Sequence, residues 1–266
     1  MNVDEIARLC GSMSFTEQEG LVRTLKTYVK DAGLKRMSSS LVGKVLSKKL
    51  VNREVFRLVM RKIWITKDNV EIEPVTENIF TFHFQNAEDK QKIIARGPWS
   101  FDDALIAMEE PEGKGDIQRM KFNKAEFWIQ IHNTPLMCMS ADIGRFLGSI
   151  VRDVDIDNRD LGSQVAGFLR VRVAIEIDKP LRRFLRINVL GDGVETGMLM
   201  KYERLLDFCF KCGLLGHGVR DCPDKPREAT VLKGEELLFG FWLRASTPVK
   251  KTGNWGQKWG MREGGD

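Results

Sequence analysis

From residue 41 onward, apolar and polar positions switch between a period of two and a period of about 3.6, and the order of the switches predicts an architecture. "LVGKVLS" reads as a strand. "NREVFRLVMRKIW" reads as a helix with an apolar stripe at Val55, Leu58, Val59 and Ile63, with Lys62 on the same face. Two strands, "VEIEPV" and "IFTFHF", lead into a helix in "AEDKQKIIARG" and a strand in "ALIAMEE". The β-α-β-β-α-β order predicts an α+β fold over residues 37–112, a ferredoxin-like or RRM-like sandwich with two helices on one face of an antiparallel sheet. Phe80, Phe82 and Phe84 share one face of their strand and are expected to pack under the helices. That leaves Ile79, Thr81 and His83 on the other face, a poor surface for stacking bases.

Upstream, "SFTEQEGLVRTLKTYVKDAG" reads as a helix opened by a Thr16–Glu19 capping box and closed at Gly33, a lead-in spanning residues 1–36, with "KRMSSS" as a polar linker. After the charged break "PEGKGDIQRMKFNK", a second series begins. It runs "AEFWIQIHN" (strand), "SADIGRFLGSIV" (helix, opened by Ser140 or Asp142), "DVDID", "GFLRVRVAIEI" and "FLRINVL" (strands), and "MLMKYERL" after a "GDG" turn. It predicts a second, smaller α+β unit over residues 125–205. Residues 225–266, rich in Gly, Lys and Trp, are expected to be a largely flexible tail.

An apolar content of 42% and a charged content of 30% are those of a globular chain. No run of about 18 apolar residues occurs, and "MNVDEIARLC" lacks the apolar core of a signal peptide. The expectation is an intracellular protein without a membrane span, the nucleus slightly favoured over the cytoplasm. Charge sharpens this: residues 21–67 hold thirteen Lys and Arg against Asp31 and Glu54, a local +11 beside −6 for the remainder. Such a field favours a polyanion, although a basic surface kept for solubility gives the same count. Lys44, Lys48, Lys49, Arg53, Arg57, Arg61 and Lys62 are the candidates for a phosphate-binding patch around the first helix of the sandwich. Arg170, Arg172, Arg182, Arg183 and Arg186 are candidates to extend it.

Three of the five cysteines fall inside "CFKCGLLGHGVRDC" (209–222). Cys209, Cys212, His217 and Cys222 stand in the spacing C-x2-C-x4-H-x4-C, three thiolates and one imidazole that close a tetrahedral zinc shell. With all four positions filled by protein there is no room for a reactive water, so the zinc is expected to be structural. It stands in for the core that so short a loop cannot build. Gly213 and Gly216 sit where the chain must turn tightly. Residues 206–224 therefore form a zinc knuckle of the retroviral type, a module that grips single-stranded nucleic acid. Phe210 is placed to stack a base, Lys211 and Arg220 (with Lys225 and Arg227 beyond) to meet phosphates, and Val219 or Leu214 to complete the platform. Some knuckles dock proteins, so an assembly or adaptor role stands beside the nucleic-acid reading.

"GPWSFDDALIAMEEPEG", "FWIQIHNTPLMCMSADIGRFLGSIV", "LRVRVAIEIDKPLRR" and "MKYERLLDFCFKCGLLGHGVRDC", with "SFTEQE" upstream and "FGFWLRAS" downstream, extend the pattern. Together they resemble the plant family of gag-like proteins related to LINE-type retrotransposons, in which a domain of unknown function precedes one CCHC knuckle. The resemblance spans residues 12–246 and implies plant origin, nucleic-acid binding and zinc binding at the same four ligands. RNA is favoured over DNA as the partner, and the α+β region is a candidate for self-association. "DVDIDNRDLGSQ" lacks the glycine and terminal glutamate of a calcium loop, and "LGDGVETG" lacks the lysine of a phosphate loop. No nucleophile, base or open metal position stands out, so a non-enzymatic, zinc-dependent nucleic-acid-binding protein is expected.

Overall fold

The computed structural model describes residues 8–9, 11, 23–112, 117–152, 163–165, 167–223 and 237–245. The Thr16–Glu19 box, "DVDID", Cys10, Lys225, Arg227, Trp255 and Trp259 lie outside the described residues.

Helix α1 (Thr27–Ser38) starts later than expected, residues 23–26 before it being non-helical, and does not end at Gly33 but runs on through the supposed linker. The three serines close it: the hydroxyl of Ser38 donates to the Lys35 carbonyl at 2.8 Å, and those of Ser39 and Ser40 donate to Arg36 at 3.0 and 2.6 Å. Carbonyls satisfied by hydroxyls remove the need for a glycine stop. Lys90, buried at 3% exposure, adds a 2.7 Å bond from its ammonium to the Ser38 carbonyl.

Next come β1 (Ser40–Val45), α2 (Arg53–Ile63), β2 (Glu71–Thr76), β3 (Ile79–His83), α3 (Ala87–Ala95), β4 (Trp99–Phe101) and β5 (Ala104–Glu109). The strands form one antiparallel sheet in the order β2-β3-β1-β5-β4. The strand expected at "ALIAMEE" is β5, the neighbour of β1. It gains a short hairpin partner, β4, across a turn in which Asp102 and Asp103 both take positive φ (49° and 60°).

Asn52 caps α2 by accepting from the amides of Glu54 and Val55. The helix then turns Phe56 and Met60, both fully buried, onto the sheet, Phe56 lying 4.0 Å from Phe80 in a stacked pair. The expected stripe is therefore displaced: Val59 packs at the edge of the core, while Val55 and Leu58 point to solvent at 46% and 68% exposure and Ile63 is also exposed. Phe56, Met60 and Trp64, at i, i+4 and i+8, form the buried stripe, and their two aromatic side chains pack on Phe80 and Phe82 of the sheet, contacts the aliphatic stripe cannot make. Phe80, Phe82 and Phe84 are buried beneath the helices. The centre of the opposite sheet face is also covered, where Phe122 packs on Val42 and Ala107, joined by Ile117, Met120 and Ile177.

The second sheet contains β6 (Lys124–His132), β7 (Ser163–Val165), β8 (Phe168–Glu176), β9 (Phe184–Ile187), β10 (Thr196–Glu203) and β11 (Arg244–Ala245). Its order is β11-β10-β6-β8-β7, with β9 also paired to β10. Helix α4 (Ala141–Arg152), with the Ser140 hydroxyl accepting from the Ile143 amide at 3.3 Å, lays Leu147 and Val151 in the core with Phe127, Ile129, Leu169 and Val171.

Candidate metal centre and nucleic-acid interface

β10 delivers the chain into the cysteine loop. Tyr202, at 1% exposure, anchors that exit by donating its hydroxyl to the Arg182 carbonyl at 2.8 Å. Beyond it the backbone folds on itself: Phe208 bridges Leu215, the Cys209 amide donates to Leu214 at 2.9 Å, Gly213 to Cys209 at 2.8 Å, and Gly216 to Asp207 at 3.2 Å. Gly213 and Gly216 hold φ of 76° and 82°, which a side chain resists. A short 3-10 turn (Val219–Asp221) then returns Cys222 to the set.

The ligand atoms of Cys209, Cys212, His217 and Cys222 all lie within 4.8 Å of one another, with Cys212 Sγ 3.3 Å from His217 Nε2. Zn–S bonds of about 2.3 Å and Zn–N bonds of about 2.0 Å in a tetrahedron place donors roughly 3.5–3.8 Å apart, so four donors already within 4.8 Å of one another need only small shifts to close on one ion. Among the described residues this is the one cluster of its kind. Burial pushes the Cys212 thiol up to about 11. Burial also opposes the Cys209 thiolate, but the amides of Cys212 and Lys211 outweigh it and bring that thiol below its ordinary value. Gathering three thiolates in one partly buried loop requires a cation to balance them.

The loop is a structural zinc site. Residues 175–224 match the family model described as a zinc knuckle, and residues 33–110 match the one described as "Domain of unknown function (DUF4283)". No curated protein and no solved structure matches the chain. The knuckle with its upstream domain is consistent with a gag-like, retrotransposon-type protein.

The knuckle is built into the second sheet. Leu181 donates its amide to the Gly213 carbonyl at 3.0 Å, and Phe208 and Leu215 belong to the same apolar cluster as β6, β8 and β10. Residues 237–245, assigned from sequence to a largely flexible tail, form a strap over it. Phe239 lies against Gly213, Leu243 is fully buried, and the Phe239 amide donates to the Phe210 carbonyl at 3.0 Å. β11 then pairs parallel to the end of β10. The distance in sequence between residues 213 and 239 hid this contact, although the aromatic run "FGFWL" was its signal.

The structure separates the residues expected to touch nucleic acid. In the knuckle, Arg220 and Val219 are exposed, Lys211 is half-buried, and Phe210 is half-buried with its ring 4.9 Å from Phe208 and 4.7 Å from Phe241. On α2, Arg53 and Arg61 are exposed, while Arg57 is held by Glu54 at 2.7 Å and by the Ile72 carbonyl at 3.0 Å. Lys44 shares the β1 face of Val42, so the sheet stands between it and α2. Lys48 and Lys49 are exposed in the β1–α2 loop, close to the knuckle: a Cβ on Gly216 would lie 4.0 Å from the Leu46 carbonyl oxygen.

The second arginine group does not form one patch. Arg170 lies 3.7 Å over Trp128 and makes two 2.8 Å bonds to Glu203, Arg172 is buried with Glu126 and the Ile94 carbonyl, and Arg186 pairs with Glu195. Burial opposes the Glu203 carboxylate, but Arg170 and Gln130 hold its pKa below the ordinary value. A cavity of about 770 Å³ between the two units is lined by Trp99, Glu110, Met120 and Arg172, and none of the zinc ligands borders it.

Proposed function

We propose that this protein is a non-enzymatic, intracellular, zinc-dependent binder of single-stranded nucleic acid of the gag-like, retrotransposon-related type, with RNA preferred to DNA. The observation that carries the reading is the closed Cys3His set inside a matched zinc knuckle, flanked by exposed Arg220, Lys48 and Lys49. Zinc supplies no chemistry here beyond holding the loop; the chain's own cations neutralise phosphates and its aromatic rings stack bases. We read the first unit as a ferredoxin-like sandwich with one extra edge strand, supported by its strand order. Its sheet does not act as an RNA-recognition surface in this reading, because Phe80, Phe82 and Phe84 are turned under the helices and Phe122 covers the centre of the other face.

The test is the affinity of the full chain for a labelled single-stranded RNA before and after metal removal by a chelator. Loss of binding on chelation, restored by zinc, is expected; unchanged binding would strip the knuckle of its binding role. A second reading, self-assembly, is favoured by the exposed apolar residues Leu50, Val55, Leu58 and Ile65 on and around α2, at 78%, 46%, 68% and 73% exposure. Light scattering decides between them: stable oligomers with no affinity for RNA would mark an adaptor.

A further inference from the structure

Apart from the His217 ligand, the zinc loop carries one aromatic ring, Phe210, and that ring is committed, half-buried between Phe208 and Phe241. The exposed rings beside the metal site come from the strap. Within residues 239–243, Phe239 and Leu243 are buried at 8% and 0% exposure, whereas Phe241 and Trp242 stand out at 66% and 42%. A 3-10 turn (Phe241–Leu243) fixes this division. Two adjacent large rings held at the surface are a cost in water unless something covers them.

The surroundings match a polyanion with flat bases. The Arg244 guanidinium lies 4.9 Å from the Phe241 ring centroid, and Arg183 lies 5.5 Å from that of Phe239. Arg220 is exposed on the loop itself. Rings accept bases regardless of sequence, and neighbouring guanidinium groups meet the phosphates between them.

We propose that Phe241 and Trp242, carried by the strap, form the surface on which bases of single-stranded nucleic acid stack, and that the zinc loop is the frame that seats the strap. The seat is the Phe239 ring over Gly213 together with the Phe239 amide on the Phe210 carbonyl. This rests on the nucleic-acid reading above and assigns its base-binding residues. It also gives zinc dependence a route: losing the metal unmakes the turn at Gly213 and releases the strap.

The experiment uses the full, zinc-loaded chain and fluorescence anisotropy with a labelled single-stranded RNA of mixed sequence, with single-stranded DNA in parallel. Phe241→Ala and Trp242→Ala are each expected to lower affinity about 5- to 150-fold, the equivalent of about 1–3 kcal/mol at 1.4 kcal/mol per tenfold change. Zinc content is expected to stay at one ion per chain, and the paired Phe241→Tyr, Trp242→Phe variant to bind like wild type. If wild type binds in a zinc-dependent way and the alanine variants bind equally well, the strap assignment is overturned while the nucleic-acid reading survives. If wild type binds no single strand, both fall. If the alanine variants weaken binding but chelation does not, the stacking surface stands and the zinc frame is removed.

Discussion

Gly213 and Gly216 hold nearly the same backbone conformation, yet the structure separates what an added methyl group would do at each. At φ of 76° and 82°, both resist a side chain by about 1–2 kcal/mol, the left-handed penalty. At Gly216 that is the whole effect, because the nearest atom to a new Cβ is 4.0 Å away. At Gly213 the Cβ would fall 2.3, 2.5 and 2.7 Å from three carbons of the Phe239 ring. Phe239 is buried and its main chain is held by the bond to the Phe210 carbonyl, so its ring has little room to move aside, and overpacking adds about 1–3 kcal/mol. Because metal binding and loop folding are one equilibrium, Gly213→Ala is expected to lower zinc affinity about 5- to 150-fold more than Gly216→Ala does. Competition with a chromophoric chelator measures both. In a Phe239→Ala background the clash disappears, so the excess cost of Gly213→Ala should vanish, a coupling of about 1–3 kcal/mol in the double-mutant cycle. Equal losses at the two glycines, or an excess that persists without the Phe239 ring, would refute the wedge.

Asn78, at 7% exposure, accepts from the Val51 amide at 2.9 Å and donates to the Ser47 and Lys49 carbonyls at 3.1 and 2.9 Å. Asn78→Ala should cost about 1–3 kcal/mol in denaturant unfolding and speed hydrogen exchange at Val51, because the basic loop loses its tie. Replacing Lys48 and Lys49 by Ala should reduce the slope of log affinity against log salt by about 0.7 for each single-strand phosphate no longer neutralised, read from RNA titrations at several salt concentrations. The Glu203 carboxyl is held below its ordinary pKa, so its contribution is full above the unfolded value of about 4.3 and is lost as pH falls through the folded value. Glu203→Gln should therefore flatten the acid side of a stability–pH profile measured by thermal unfolding.

The zinc ligands were legible because four donors within fourteen residues need no distant partner to be recognised. Strands β1, β3, β6, β8 and β10 were legible too, since period-two patterns such as "IFTFHF" state which face is buried. What escaped depends on competition or distance. On α2 two apolar stripes overlap, and only contact with Phe80 shows that Phe56 and Met60 win over Val55 and Leu58. On α1, serine hydroxyls replaced the glycine stop. At the knuckle, Phe239 meets Gly213 across a stretch of chain that periodicity cannot bridge. The arginines counted as a patch were spent partly on carboxylates: Arg57 on Glu54 one helical turn away, and Arg172, Arg186 and Arg170 on Glu126, Glu195 and Glu203, pairings set by how the strands come together rather than by local sequence.

The segment after β5 looks in sequence like a place to cut the chain, a charged break between two units. Yet Phe122 closes the rear of the first sheet over Val42 and Ala107, and Ile177 from beyond β8 packs against the same cluster. A fragment ending near residue 112 would leave that rear face wet, and one beginning near 125 would strip Ile177 of its contacts with the first sheet. For anyone dissecting the molecule, the two halves are better cut inside their loops than at the seam, because the seam is itself a small core.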